Sequence, residues 1–374
     1  MESVADFREA ARRRLPHFLF EYIDGGSYAE ETLRRNESDL AAIALRQRVL
    51  RDVSDIDLST ELFGQKLAFP VALAPIGLAG FNARRGECQA VLAAEQAGIP
   101  FTLSTVGACS LAEVEASASR PFWFQLYMMR DRGFMRELLA RAAEASCSAL
   151  VFTVDMPHAG TRYRDFRSGM RDRHGLRRTM QVLARPRWAW DVAVRGRPLT
   201  LGNVAPLLQG SRGMEDFFSW VAHNFDAAIN WPDLDFIRET WQGPLIIKGL
   251  LDADDAREAA ARGADGIVVS NHGGRQLDGV LSSARALPAI VDAVGERLTV
   301  LVDGGVRSGL DVMRMLALGA KGVLLGRAWA WALAVEGQVG VTRMLETIAA
   351  ELQVAMALTG VTRIADIDRS ILSE

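Results

Sequence analysis

Residues 266–279 read Gly-Ile-Val-Val-Ser-Asn-His-Gly-Gly-Arg-Gln-Leu-Asp-Gly. The first part, Gly266 to Ser270, is a short β-branched run bounded by glycine, the pattern of a strand buried on both faces in a parallel sheet. The second part cannot extend that strand. Asn271, Gly273, Gly274 and Gly279 favour a loop whose backbone a ligand can approach closely. That loop carries His272 and Arg275. A titratable base and a permanent cation at the end of a buried strand suit an anionic substrate that loses a proton. A surface His beside a solvated Arg would read the same way, so the rest of the chain has to decide.

Composition narrows the choice. The chain has 374 residues, 49% of them hydrophobic, enough for a large core and too many for disorder. A net charge of −3 argues against a globally basic nucleic-acid binder. Three cysteines (Cys88, Cys109, Cys147) without a Cys-x-x-Cys pair fit buried thiols rather than a disulfide framework. The histidines lack zinc-ligand spacing, so no metal site is expected. The N-terminus has Arg12-Arg13-Arg14 but no apolar core of a secretory signal. The uncharged stretch Leu67 to Ala83 is broken by Pro70, Pro75, Gly77 and Gly80 and is too interrupted to span a membrane. A cytoplasmic-side protein is expected.

Ser3-Val4-Ala5-Asp6 has the form of a capping box opening a helix that ends near Pro16. Phe18 to Ile23 is an apolar run stopped by Gly25-Gly26, with Tyr22 inside it as a packed aromatic. A polar helix is expected over about 30–40. From residue 70 a rhythm sets in. Strand-like runs begin at Val71, Phe101, Phe122, Ala149, Leu245, Gly266, Thr299 and Lys321, with helix-like stretches such as Glu87–Ala97 and Leu310–Leu318 between them. This alternation predicts an α/β fold, a (β/α)₈ TIM barrel. A doubly wound sheet is the competing architecture, but no Gly-x-Gly-x-x-Gly follows the first strand. The Ala149-to-Leu245 interval is too long for one connection and must hold an insertion.

Polar residues collect at the strand ends: Ala74 to Gly77, Ser104, Gln125 to Tyr127, Thr153 to Asp155, Lys248, Ser270 to His272, Asp303 to Gly305, and Gly326-Arg327. Barrel enzymes keep their sites at that end. Gly304-Gly305 with Arg307, then Gly326-Arg327, place backbone N–H groups and two guanidiniums after strands seven and eight, the usual phosphate corner of the fold. That phosphate belongs to either a substrate or a cofactor.

Together these residues resemble the FMN-dependent α-hydroxy acid oxidase and dehydrogenase family. The likeness runs through Leu15-Pro16, Tyr22-Ile23-Asp24-Gly25-Gly26, Gln125-Leu126-Tyr127, Thr153-Val154-Asp155-Met156-Pro157, Lys248-Gly249, the Ser270–Asp278 run and Asp303-Gly304-Gly305. Phe18-Leu19-Phe20, Ala83 to Glu87 and Asp278 to Arg285 are most similar to its bacterial respiratory L-lactate branch. The resemblance implies His272 as base with Asp155 stabilising its imidazolium, and Arg275, Tyr22, Arg162 and Tyr127 as substrate donors. It implies Lys248 at the flavin N1–C2=O edge. Ser104, Gln125 and Thr153 would hydrogen-bond the isoalloxazine, Gly305, Arg307, Gly326 and Arg327 would hold the phosphate, and Ala74, Gly77, Ser270, Asp303 and Gly304 would be further cofactor-binding positions. The implied reaction is oxidation of a small L-2-hydroxy acid, L-lactate to pyruvate, with electrons passing to a quinone or other respiratory acceptor. An O₂-using oxidase of lactate, glycolate or mandelate is the nearest alternative, and a non-catalytic flavin or ligand sensor is another class. A homo-oligomer, tetrameric by resemblance, is also implied. Two positions depart from relatives. Val106 stands where plant glycolate oxidases have Trp, and Gly77 stands where oxidases tend to have Ala.

Residues 162–197 hold eleven arginines against three aspartates, a local charge of +8. Trp188 and Trp190 lie among them, with Leu207-Leu208 and Phe217-Phe218 following. This suits either an anionic membrane surface or an Arg-rich lid over the site. No nucleic-acid module accompanies it. The expected organisation is one unit over 1–374, with a helical extension over 1–65 and a barrel over 66–374 interrupted by a basic insertion over 166–230. It would sit peripherally on the cytoplasmic side of the inner membrane, docked through a segment running from about Arg167 to Phe225.

Overall fold

Eight parallel strands ring the centre of the molecule in the computed structural model, which describes residues 1–171, 175–208, 220–221 and 223–373. They are β1 (Val71–Leu73), β2 (Thr102–Ser104), β3 (Trp123–Tyr127), β4 (Ala149–Thr153), β5 (Leu245–Leu250), β6 (Gly266–Val269), β7 (Thr299–Asp303) and β8 (Gly322–Leu325). Each pairs with its neighbour in sequence, β8 pairs with β1, and a parallel bridge between Leu73 and Phe101 closes the ring. The chain is therefore a (β/α)₈ barrel. β3 and β4 are buried along their whole length, which is why they read as unbroken apolar runs rather than alternating ones. The barrel interior alternates bulk, with Trp123 in register with Ala149.

Three helices precede the barrel: α1 (Val4–Arg14), α2 (His17–Asp24) and α3 (Glu31–Ala41). The capping box at Ser3 and Asp6 is formed as its sequence implies. The apolar run Phe18 to Ile23 turns out to be helical. Pro16 starts α2 and Gly25 ends it, so Phe18, Leu19, Phe20 and Ile23 are buried while Tyr22 turns toward the barrel mouth. A hairpin (Thr60–Leu62 with Gln65–Leu67) straddles residue 65, the expected start of the barrel. It plugs the N-terminal end of the barrel with Leu62 and Leu67, and Phe63 lies edge-on to Trp123 at 5.8 Å.

The insertion divides into two kinds of structure. Trp188 is buried, and its Nε1–H donates to the Phe81 carbonyl at 3.0 Å. Asn203 is buried too, accepting from Leu111 N at 2.7 Å and donating to the Ser104 carbonyl at 3.2 Å. These residues brace the barrel, so Trp188 is no surface anchor. By contrast, the helix Leu176–Leu183 buries none of its side chains, and Leu176, Met180 and Leu183 are 73%, 67% and 67% exposed. Trp190 is exposed as well. Phe217 and Phe218 lie outside the described residues. Among the described residues no helix is long and apolar enough to cross a membrane.

Candidate active site

The loop after β6 folds through three consecutive left-handed residues, His272, Gly273 and Gly274, with φ of +58°, +63° and +72°. Two can be glycine at no cost, but His272 is held in a conformation that non-glycine residues pay roughly 1 kcal/mol or more to adopt. The turn brings Gly274 against α3, where a Cβ would stand 2.6 Å from Leu33 N. His272 Nδ1 then lies 2.9 Å from Asp155 Oδ1 on the loop after β4. Asp155 can come this close to β5 because residue 249 is glycine; a Cβ there would lie 2.5 Å from the Asp155 Cβ. Burial pushes the Asp155 carboxyl up, but its electrostatic attraction and hydrogen bond to the His272 ring, with the Lys248 ammonium, outweigh it and hold Asp155 below the usual carboxylate range.

Lys248 stands two residues before the end of β5 as a buried cation. Its Nζ lies 3.0 Å from Asp303 Oδ2 at the end of β7 and donates to Ser270 Oγ at 2.9 Å. Burial lowers its pKa, yet Asp303 and Asp155 together raise it above the ordinary lysine value, so the ammonium stays charged. The same Ser270 hydroxyl accepts the backbone N–H of His272 at 3.0 Å, linking base and lysine through one oxygen. Ser104 Oγ donates to Gln125 Oε1 at 3.0 Å and so orients the amide. Gln125 Nε2 and Thr153 Oγ1 are buried without hydrogen-bond partners. Orphaned polar atoms in a barrel mouth point to a polar ligand.

Four guanidiniums converge above these groups. Arg275 donates to the carbonyls of Tyr22 at 2.6 Å and Gly25 at 3.0 Å, and Arg327 to those of Ile23, Gly25 and Gly273 at 2.8–2.9 Å. Both therefore grip the C-terminal end of α2, and among the described residues neither has a carboxylate partner. Burial lowers both, and the neighbouring arginines lower them further: Arg162 acts on Arg275, and Arg275 and Arg307 act on Arg327. Arg162 pairs with Asp165 at 2.8 Å and Arg307 with Glu37 at 2.8 Å. The rings and cations stack, with Tyr22 beneath both Arg162 and Arg275 at 5.1 and 5.0 Å. Surplus positive charge on buried guanidiniums in a concave mouth suits anionic ligands.

One cavity unites most of the expected residues: Tyr22, Ala74, Gly77, Tyr127, Thr153, Arg162, Lys248, His272, Arg275, Asp303, Gly304, Gly305, Arg307, Gly326 and Arg327 all line it. Ser104, Gln125, Asp155 and Ser270 stand behind the lining and hold it in place. Three features escaped the sequence. Gln276 Nε2 donates to the Asp155 and His158 carbonyls at 2.8 and 2.9 Å, and its Oε1 accepts from Gly160 N at 3.0 Å, tying the β4 and β6 loops together. Asn36 and Asn271 exchange two amide hydrogen bonds of 2.8 Å, locking α3 to the β6 loop. Val221 and Phe225, from the far end of the insertion, line the cavity, Phe225 against Tyr127 with ring centroids 4.8 Å apart. Gln276 lies inside the His272 run and could have been flagged there; the other two depend on tertiary contact alone.

The chain is similar to known proteins along its length. The FMN-dependent dehydrogenase family profile matches residues 11–374. The L-lactate dehydrogenase of Caulobacter sp. (strain K31) is 65% identical over 375 residues, spanning 100% of this chain and 99% of that protein. Among solved structures, the monotopic membrane protein (S)-mandelate dehydrogenase superposes with a TM-score of 0.94 at 32% identity, covering 100% of this chain and 99% of its own. A mandelate oxidase bound to (S)-4-hydroxymandelic acid gives a TM-score of 0.87 at 38% identity, covering 100% and 98%. Matched by the family profile over residues 11–374 and by a relative 65% identical along its full length, this chain belongs to the FMN-dependent dehydrogenase family.

Proposed function

We propose that this protein oxidises L-lactate to pyruvate on bound FMN and passes the electrons to a quinone or another respiratory acceptor. The His272–Asp155 pair, facing a cavity with surplus guanidinium charge, carries this reading. The residues present fit the cofactor. Gln125 Nε2 and Thr153 Oγ1 lack partners that an isoalloxazine edge would supply, and Arg307 and Arg327 beside Gly305 and Gly326 suit its phosphate. When bound, FMN supplies a ring that takes up two electrons from the substrate.

Arg275 and Tyr22 hold the substrate carboxylate, and Arg162 and Tyr127 supply further donors beside the hydroxyl. With Nδ1 engaged by Asp155, Nε2 of His272 is the atom that accepts the substrate proton. Asp155 fixes that tautomer and stabilises the resulting imidazolium. The Lys248 ammonium offsets negative charge that develops next to it. Val106, Met156, Val221 and Phe225 give the cavity an apolar wall for the small side chain on Cα. Anaerobic mixing of the yellow holoenzyme with L-lactate, D-lactate, glycolate and L-mandelate tests this. L-lactate should bleach the flavin fastest; faster bleaching by mandelate would move the substrate to the aromatic branch, and no bleaching by any of them would favour a ligand sensor.

The proposal includes peripheral docking on the cytoplasmic face of the inner membrane. The exposed Leu176, Met180 and Leu183 recur at helical spacing on one face, next to exposed Trp190 and the basic segment. The structurally similar (S)-mandelate dehydrogenase is described as monotopic. Assembly as a homotetramer rests on the family resemblance and on exposed Val339, Val354 and Leu358 along the last helix, and light scattering of the holoenzyme measures it.

A further inference from the structure

A second cavity, of about 750 Å³, lies between α1 and the turn that follows the exposed helix Leu176–Leu183. Arg13 and Arg14 line it from α1, Arg185 and Arg187 from the turn, over a floor that includes Trp188 and Val335. No residue of the catalytic cavity takes part in it.

Its positive charge is poorly neutralised. Glu9 and Asp6 are the carboxylates on its wall; Glu9 neutralises Arg13, but among the described residues neither is paired with Arg14, Arg185 or Arg187. Glu9 is held by Arg12 at 2.7 Å and Arg13 at 2.9 Å, while Asp6 accepts the Glu2 and Ser3 backbone N–H groups at 2.9 and 3.0 Å. Arg14 Nε is buried with no hydrogen-bond partner. The ion pair it makes, to Asp191, is long at 3.7 Å, and Arg84 shares that carboxylate at 3.9 Å. Arg187 makes no ion pair among the described residues and is exposed. A volume within the roughly 300–1,000 Å³ of organic-ligand sites has room for more than a bare ion. The chain enters this cavity from exposed Leu183 and leaves it toward exposed Trp190, so apolar side chains flank a cationic hollow. That profile complements an amphiphile with an anionic head.

We propose that this cavity binds the phosphodiester headgroup of an anionic phospholipid while the Leu176–Leu183 stripe rests in the membrane interface. The proposal rests on the docking reading above and adds a built site to it: diffuse attraction is strongly screened by salt, whereas a phosphate held in direct, partly buried guanidinium contacts is screened much less.

The test uses holoenzyme and two sets of vesicles, phosphatidylcholine alone and phosphatidylcholine with phosphatidylglycerol, at about 1 M salt, where the Debye length is about 3 Å. Wild type should still bind the phosphatidylglycerol vesicles about tenfold tighter or more. Arg14→Gln/Arg187→Gln should bind both sets equally, and Arg167→Gln/Arg177→Gln, which removes the same charge outside the cavity, should keep the preference. Arg187→Gln alone, at an exposed position, should lose part of it and covers the case in which Arg14→Gln impairs folding. Bound FMN and flavin reduction by L-lactate should match wild type in every variant. Equal loss in the two double variants, or no headgroup preference in wild type at high salt, overturns the site while leaving docking intact. Glycerol 3-phosphate binding to wild type without vesicles, lost in Arg14→Gln/Arg187→Gln, would assign the cavity to a soluble phosphate ester instead. Failure to bind either vesicle at any salt overturns docking and site together.

Discussion

His272 Nδ1 and Asp155 Oδ1 stand 2.9 Å apart although 117 residues separate them in sequence. The contact joins the loops after β4 and β6, and both sides are fixed by third parties: Gly249 lets Asp155 in, and Gln276 pins its main chain. His272→Gln removes the proposed proton acceptor and should slow flavin reduction by about 10²- to 10⁴-fold while FMN stays bound. Asp155→Asn should also slow reduction, since the imidazolium loses its counter-charge. Stopped-flow bleaching by L-lactate measures both, and near-normal rates in His272→Gln would remove it as the base.

Among the described residues Arg275 spends its hydrogen bonds on main-chain carbonyls at the end of α2 and none on a carboxylate, so its charge is available to a substrate. A charge-assisted pair is worth roughly 1.5–3 kcal/mol. Arg275→Met should therefore raise the dissociation constant of oxalate, a non-reacting carboxylate, by about one to two orders of magnitude. An unchanged constant in flavin difference titration would hand the role to Arg162.

Lys248 and Asp155 set opposite pH limits on the ligand-free fold. Asp155 titrates below the ordinary value of 3.8, so its contribution is present above that pH and lost as pH falls through the lower folded value. Lys248 titrates above 10.5, so its contribution is present below that pH and lost as pH rises through the higher folded value. Asp303→Asn takes away the largest attraction on a buried ammonium and leaves burial to push its pKa down. With the folded value pushed below the unfolded 10.5, that variant should be less stable than wild type at neutral pH in thermal unfolding and should regain stability as pH rises through the lowered value toward 10.5. An alkaline limb identical to wild type would show that Asp303 does not hold the lysine charged.

Much of this was legible in the sequence, because it depends on short-range pattern. β-branched runs ended by polar residues located all eight strands, and β6 stopped at Val269, one residue short of Ser270, where Ser270 N still bonds Leu250 O at 3.1 Å but the chain has begun to turn. The helix at Phe18 to Ile23 was not seen, since eight residues give too little periodicity and its burial comes from docking onto the barrel. The Asn36–Asn271 pair and the Phe225–Tyr127 contact were invisible for a related reason: each joins residues whose proximity is created by the fold. Trp188 misled because an indole amid arginines reads as a membrane anchor, whereas here it fills a gap under the insertion and satisfies its N–H on Phe81.

The acceptor is tested by air. Gly77 packs so tightly on the β2 loop that a Cβ would sit 2.8 Å from Val106 Cγ2, leaving no room for the alanine common in oxidase relatives unless Val106 shifts. Reduced flavin should reoxidise slowly in aerated buffer, and a soluble quinone should restore turnover. Full turnover sustained by oxygen alone would place the protein with the oxidases.

Docking on the membrane should depend on the apolar stripe of the insertion and not on the insertion as a whole. Excising residues 170–220 is too coarse a test, because Asn203 braces the Ser104 carbonyl and Trp188 packs beneath the β1 loop, so activity would fall for reasons unrelated to lipid. Leu176, Met180 and Leu183 can be changed cleanly: their helix buries none of its side chains. Each exposed leucine or methionine that enters an interface contributes roughly 1.5–3 kcal/mol at full burial, and less when it is only partly inserted. Leu176→Ser/Met180→Ser/Leu183→Ser should therefore cut liposome co-sedimentation by more than tenfold, and that loss should persist at high salt, where charge is screened. Flavin content and anaerobic reduction by L-lactate should not change, since none of the three lines the catalytic cavity. Retained binding of this variant to anionic and neutral vesicles alike would show that the stripe is not the docking face.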